Sequence, residues 1–60
     1  MKTSDLTKQL RSYGCYIYRR GANHDVWYSP ITGNKFPVSR HGSQEVPNGT
    51  LAAIKRQAGI

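Results

Sequence analysis

From Leu6 the apolar positions recur at spacings of four and three: Leu6, Leu10, Tyr13. That spacing puts them on one helical face, with Lys8, Gln9 and Arg11 off it. Ser4 or Thr3 can cap this helix, and Asp5 suits its positive end. Gly14 stops it, so the pattern predicts a helix over 4–13. The period then shortens to two. In 15–20, Cys15, Ile17 and Arg19 point one way and Tyr16, Tyr18 and Arg20 the other, which predicts a strand rich in aromatic and β-branched residues. Gly21-Ala22-Asn23 is short enough for a hairpin turn. A second strand follows over 24–29, with His24, Val26 and Tyr28 on one face and Asp25, Trp27 and Ser29 on the other. Pro30 to Asn34 reads as a turn and Lys35 to Arg40 as a third strand. Pro37 lacks a donor, so that strand is expected at a sheet edge. After the polar loop 41–48, Gly49-Thr50 opens a second helix with Asn48 as its cap. Leu51, Ile54 and Ala58 form its apolar stripe, Gly59 ends it, and Ile60 folds back on the last turn.

The order is helix, three strands, helix. One core is formed most economically by a three-stranded antiparallel sheet with both helices on one face, an α+β fold, and the expected organisation is a single domain over 1–60. A chain of 60 residues buries only about 60% of the surface exposed by its unfolded form, so little stability is held in reserve. A partner that binds only the folded state would add to it. Cys15 is the one cysteine, which excludes an internal disulfide and fits a reducing cytosol. No His/Cys cluster suggests a metal staple, and no metal or cofactor is expected. No apolar run approaches the roughly 20 residues of a membrane span, and the N-terminus lacks the apolar core of a secretion signal. The expected location is the cytoplasm, with no membrane association.

Charge changes the picture. Nine Lys and Arg stand against three Asp and Glu, a net charge of +6. They cluster beside turns and loops, a distribution that suits a polyanion or an acidic protein partner. Candidate chemistry then centres on Arg19 to Tyr28. There two cations lead into a glycine turn, Gly21, and the turn delivers His24 to a strand end. Histidine side chains titrate near neutrality and cations attract phosphate. RNA brings its own nucleophile, the 2′-hydroxyl, so a ribonuclease needs only a proton-moving group and cations for the charged transition state. His24 is the candidate acid–base group, against the plainer reading of a turn histidine with a structural hydrogen bond. Arg19, Arg20, Lys35 and Arg40 are the phosphate candidates, against solvated strand-end charges. Asn23 is placed to orient the imidazole or a ribose. His41 is either a second acid–base group or a loop residue, with the loop role favoured. Trp27 and Tyr28 could stack a base, with packing the stronger role for Trp27. Cys15 reads as a small core residue, and Lys55 and Arg56 as helix-end charges. No carboxylate pair, Gly-rich phosphate loop or His-Glu-x-x-His motif is present, which argues against nucleotide hydrolases and metalloproteases.

Four pieces of the chain, in order, resemble the HicA family of bacterial and phage mRNA interferase toxins. They are Leu10-x-x-Tyr13-Gly14, Gly21-Ala22-Asn23-His24, Arg40-His41-Gly42 and the ending Gly49-Thr50-Leu51-x-x-Ile54-Lys55-x-Gln57-Ala58-Gly59-Ile60. The resemblance implies a double-stranded-RNA-binding-domain-like fold, α-β-β-β-α. It implies metal-independent, ribosome-independent mRNA cleavage with the turn histidine, His24, as catalytic residue. It also implies a cognate HicB-type antitoxin that covers this histidine, in a higher-order toxin–antitoxin complex. Two positions depart from the family pattern. Ala22-Asn23 lengthens the glycine-to-histidine spacing by one, and Ser39 stands where relatives often carry proline. The alternatives are a non-catalytic RNA-binding module of the same fold and a small interaction subunit with a basic docking face.

Overall fold

The structure, a computed structural model, describes all residues from Met1 to Ile60. Its elements run α1 (Thr3–Ser12), β1 (Tyr16–Arg19), β2 (His24–Tyr28), β3 (Lys35–Ser39) and α2 (Asn48–Ala58). The strands form one antiparallel sheet in the order β1-β2-β3. The expected α-β-β-β-α architecture is therefore present, with β3 and its Pro37 at an edge.

One face of the sheet is buried and the other is open. Trp27, Phe36 and Val38 meet Leu6 and Leu10 of α1 and Ile54 and Ala58 of α2, and Cys15 and Val46 complete the cluster. Removing a Leu or Phe side chain from water contributes about 1.5–3 kcal/mol, so these few residues supply most of the driving force. Trp27 is 2% exposed, which settles it as a core residue. The Arg11 guanidinium lies 5.0 Å from its ring centroid, so a side chain on the border of the apolar face helps seal the core.

Tyr13 does not belong to that face. It is the C-cap of α1 and is 50% exposed. The helix ends one turn position earlier than the spacing implied, and Thr3 takes the third buried place beside Leu6 and Leu10. The helix ends also differ from the expected local caps. Lys2 precedes α1 and makes no side-chain cap bond. Instead the Thr3 and Ser4 N–H groups donate to the carbonyls of Gln44 and Gly42, at 2.9 and 3.0 Å. Pro47, not Asn48, is the N-cap of α2, again without a side-chain bond. At the other end of α2, Gly59 takes φ +79° and the Ile60 N–H returns to the Lys55 carbonyl at 3.0 Å, the left-handed stop that glycine tolerates best. Ile60 packs against the core, as expected. The β2–β3 turn closes the remaining carbonyls: Ser29 Oγ donates to Ala58 O at 2.6 Å and Asn34 Nδ2 to Gln57 O at 3.2 Å.

Strand β1 is not regular. Tyr16 pairs with Tyr28 and Ile17 with Trp27, but Arg19 pairs with Val26, which leaves Tyr18 as an extra residue. Such a bulge sets two residues against one and shifts the alternation. It places Arg19 across from Val26, on the open face with Tyr16 and Tyr28, and not with Cys15 and Ile17 as strict alternation implied.

These placements separate two residues that share a helical pattern in the sequence. Leu10→Ala should cost about 2–5 kcal/mol, whereas Tyr13→Ala should stay within about 0.5 kcal/mol. Urea unfolding curves of the two variants, compared by midpoint at constant slope, check this.

Candidate functional site

The hairpin between β1 and β2 is organised around a carboxylate. Alternation along β2 turns Asp25 inward beside Trp27, and its residue is 6% exposed. A carboxylate so placed needs partners. The Gly21 N–H donates to Oδ1 at 3.3 Å. Arg40 Nε lies 3.5 Å from Oδ1 and Arg20 Nη1 3.8 Å from Oδ2. The two guanidinium contacts are ion pairs at longer range than a hydrogen bond. Arg40 also grips the backbone of the turn: its Nη1 donates to Gly21 O at 2.8 Å, and its own N–H donates to Asn23 O at 3.2 Å. Gly21 is required by close approach, since a Cβ there would lie 2.2 Å from the His24 carbonyl oxygen.

This arrangement holds His24 in the open at the head of β2, opposite Ser39 of β3. Ser39 Oγ accepts from the His41 N–H at 3.2 Å and donates to Gln44 Oε1 at 2.9 Å. His41, also exposed, therefore follows Arg40 at the same end of the sheet as His24. Ser39 thus anchors the start of the loop that follows β3. A cavity of about 290 Å³ opens next to His24 along the β3 edge, floored by Leu6, Val38 and Ile54 and rimmed by Ser39, Gln44 and Thr50. At its rim the N-terminal ammonium donates a hydrogen bond to Glu45 Oε2. That bond, its charge and the nearby Lys2 hold the Glu45 carboxyl below its ordinary value, against a smaller opposing effect of desolvation. The sign follows: the tie stabilises the fold above the carboxyl's unfolded pKa and is lost as pH falls through the lower folded one.

Of the residues singled out in the sequence, the fold gathers Arg20, Gly21, Asn23, His24 and Arg40 at one sheet end. Arg20 and Arg40 share Asp25. Arg19 has no carboxylate partner and stands across from Val26, two positions along the strand from His24. Lys35 is not gathered. It pairs with Tyr28 at the far end of β2, and its ammonium reaches back to lie 4.0 Å from the Tyr18 ring centroid. Asp25 is the residue that sequence reasoning passed over, because its role depends on Arg40, fifteen positions away. A buried-face position occupied by aspartate within an alternating strand was the available signal. No three His, Cys, Asp or Glu side chains converge as a metal set would, and no helix is long and apolar enough to cross a membrane.

Comparison with protein families matches residues 3–60 to a family described as the HicA toxin of bacterial toxin–antitoxin systems. No curated protein and no solved structure matches the chain.

The turn's dependence on Asp25 has a measurable consequence. Asp25→Ala strands the Gly21 N–H and leaves Arg40 without its counter-charge, at a cost of about 1–3 kcal/mol. Hydrogen exchange should show the Gly21 and Arg40 amides losing protection ahead of the β2–β3 ladder; unchanged protection at both would contradict the assigned role.

Proposed function

The chain belongs to the HicA toxin family of bacterial toxin–antitoxin systems, and from that premise we propose that it is an mRNA endoribonuclease that acts without a metal and uses His24 as its general acid or base. The observation that carries this reading is the exposed histidine on a turn locked from beneath by Asp25 and Arg40. An acid–base group must be held in place to work on a bound phosphodiester, and this imidazole is held by its backbone while its ring faces solvent.

In the proposed reaction the ribose 2′-oxygen attacks the neighbouring phosphorus and loses its proton. The bond to the 5′-oxygen of the next nucleotide breaks, and that oxygen gains a proton. His24 carries out one of these transfers. The negative charge that builds on the phosphoryl oxygens needs nearby cations. Arg20 and Arg40 serve the scissile phosphate at the sheet end, and Asn23 orients the ribose or the ring. Arg19, without a carboxylate partner, and Lys35, farther along the sheet, hold neighbouring phosphates. Asp25 acts through the arginines and the turn, so it is a positioning residue. Gly21 is needed for the same geometry.

Two further parts of the reading follow from family membership and charge. The partner is a HicB-type antitoxin that covers His24 in a higher-order complex, which fits a small basic domain with little stability in reserve. The site of action is the cytoplasm, where mRNA is translated, and the whole of residues 1–60 acts as one toxin domain.

His24→Ala should lower mRNA cleavage by about 10²–10⁴-fold in the presence of chelator, with unchanged circular dichroism, and should relieve growth arrest when the toxin is expressed alone. Equal cleavage by the two proteins removes His24 from the mechanism. RNA left intact by the parent protein, but bound tightly and in a salt-sensitive way, would identify a binding module in place of a nuclease.

A further inference from the structure

The open face of the sheet has a composition that the cleavage site does not account for. Three strands place their outward residues in rows. His24 and Ser39 form the first row, Val26 and Pro37 with Arg19 the second, and Tyr16, Tyr28 and Lys35 the third. Tyr18, the extra residue of the bulge, lies beside the second row. Tyr16 and Tyr18 are 49% and 55% exposed. The Tyr16 and Tyr28 rings meet at 5.4 Å between centroids, tilted by 48°, and the Lys35 ammonium rests over Tyr18. No carboxylate shares this face: Asp25 is turned into the core, Asp5 is in α1 and Glu45 is in the loop before α2.

We propose that this face is a stacking platform for single-stranded RNA, on which Tyr16 and Tyr18 carry unpaired bases while Arg19 and Lys35 hold the intervening phosphates. The inference rests on the nuclease reading for its direction and extends it: the platform receives the nucleotides flanking the scissile bond. The geometry fits. Four residue steps along β2 lead from His24 to Tyr28, about 13 Å at the rise of an extended chain, so a strand of RNA laid along β2 with its scissile phosphate at His24 passes both tyrosines of β1. Aromatic rings stack any base, because every base has a π-face, and cations between them follow the backbone. A duplex hides its base faces and is read through its shape and its 2′-hydroxyl and phosphate contacts, so it gains nothing from exposed tyrosines. The bulge is what makes the surface. It brings Arg19 to the same side as the tyrosines, where regular alternation would have sent it into the core. An acidic protein would also be drawn to Arg19 and Lys35, but it would not need flat rings interleaved with them.

The test is fluorescence anisotropy with a labelled single-stranded RNA of about 10 nucleotides, within the range of site sizes known for such surfaces. The full chain carries His24→Ala to keep the probe intact. Tyr18→Leu, which keeps apolar bulk and removes the ring, should weaken binding by about 5- to 150-fold, the range set by stacking of one base. Tyr18→Phe should bind as the parent does. Arg19→Ala and Lys35→Ala should each reduce the steepness of the salt dependence by about 0.7 in log–log slope. Duplex RNA of the same length should compete poorly. The platform is overturned if Tyr18→Leu and Tyr16→Leu bind like the parent, if duplex competes as well as single strand, or if these variants lose antitoxin binding while RNA binding is unchanged. Failure of the nuclease reading looks different: the parent chain with His24 in place would leave the probe intact while the binding differences among the tyrosine variants stand. If the His24→Ala chain degrades the probe, only the role of His24 fails, and a single-stranded DNA probe, which lacks the 2′-hydroxyl, still measures stacking.

Discussion

A single buried carboxylate sets the geometry on which the site depends. Asp25 occupies a position that alternation turns toward the core, where an isolated charge costs several kcal/mol. It is tolerated because a backbone N–H and two guanidinium groups converge on it. The same convergence joins three separate stretches of chain: Arg20-Gly21 at the start of the turn, Asp25 itself in β2, and Arg40 just beyond the end of β3. One charge therefore fixes the hairpin against the edge strand, and His24 stands on the result. Arg20 and Arg40 remain partly open to solvent, so their contribution to stability is discounted by screening. What they add is a single conformation for the turn.

The rest of the fold follows the same habit of closing local ends with distant partners. A small domain has few residues to spare for caps. The first amides of α1 are met by carbonyls of the loop before α2, and the last carbonyls of α2 are met by side chains of the β2–β3 turn. Backbone groups left buried without partners are costly, so these bonds do more than decorate the helix ends. They tie loop 40–47 to α1, and that loop carries His41 and forms the rim of the cavity beside His24. Helix capping, loop shape and the surroundings of the histidine are thus one problem solved by one set of bonds.

The two faces of the sheet divide the labour. The inner face gathers Trp27, Phe36 and Val38 under both helices, and the cost of ordering the chain is met there. The outer face carries no such obligation, and it holds tyrosines, cations and the histidine. For a domain of this size the separation matters: nearly every inward residue is needed for the core, so recognition is left to the open face and the turns.

The sequence by itself determined the order of elements, because the switch from a helical to an alternating period and back is a local property of the side chains. It also determined the edge placement of Pro37, the glycine stop and returning Ile60 of α2, and the delivery of His24 to a strand end by the turn that begins at Gly21. The family could be read from four short motifs, since their order and spacing survive in one dimension. Tertiary structure alone decided the caps of both helices, because Gln44 and Gly42 are remote from Thr3 and Ser4 in the chain. It decided that Tyr13 would be exposed and that Arg19 would cross to the open face, since a bulge is set by pairing with a neighbouring strand and leaves no mark in the strand's own pattern. It decided, above all, that Asp25 and Arg40 would meet. A carboxylate and a guanidinium fifteen residues apart look like two solvated charges until a sheet brings them to the same end.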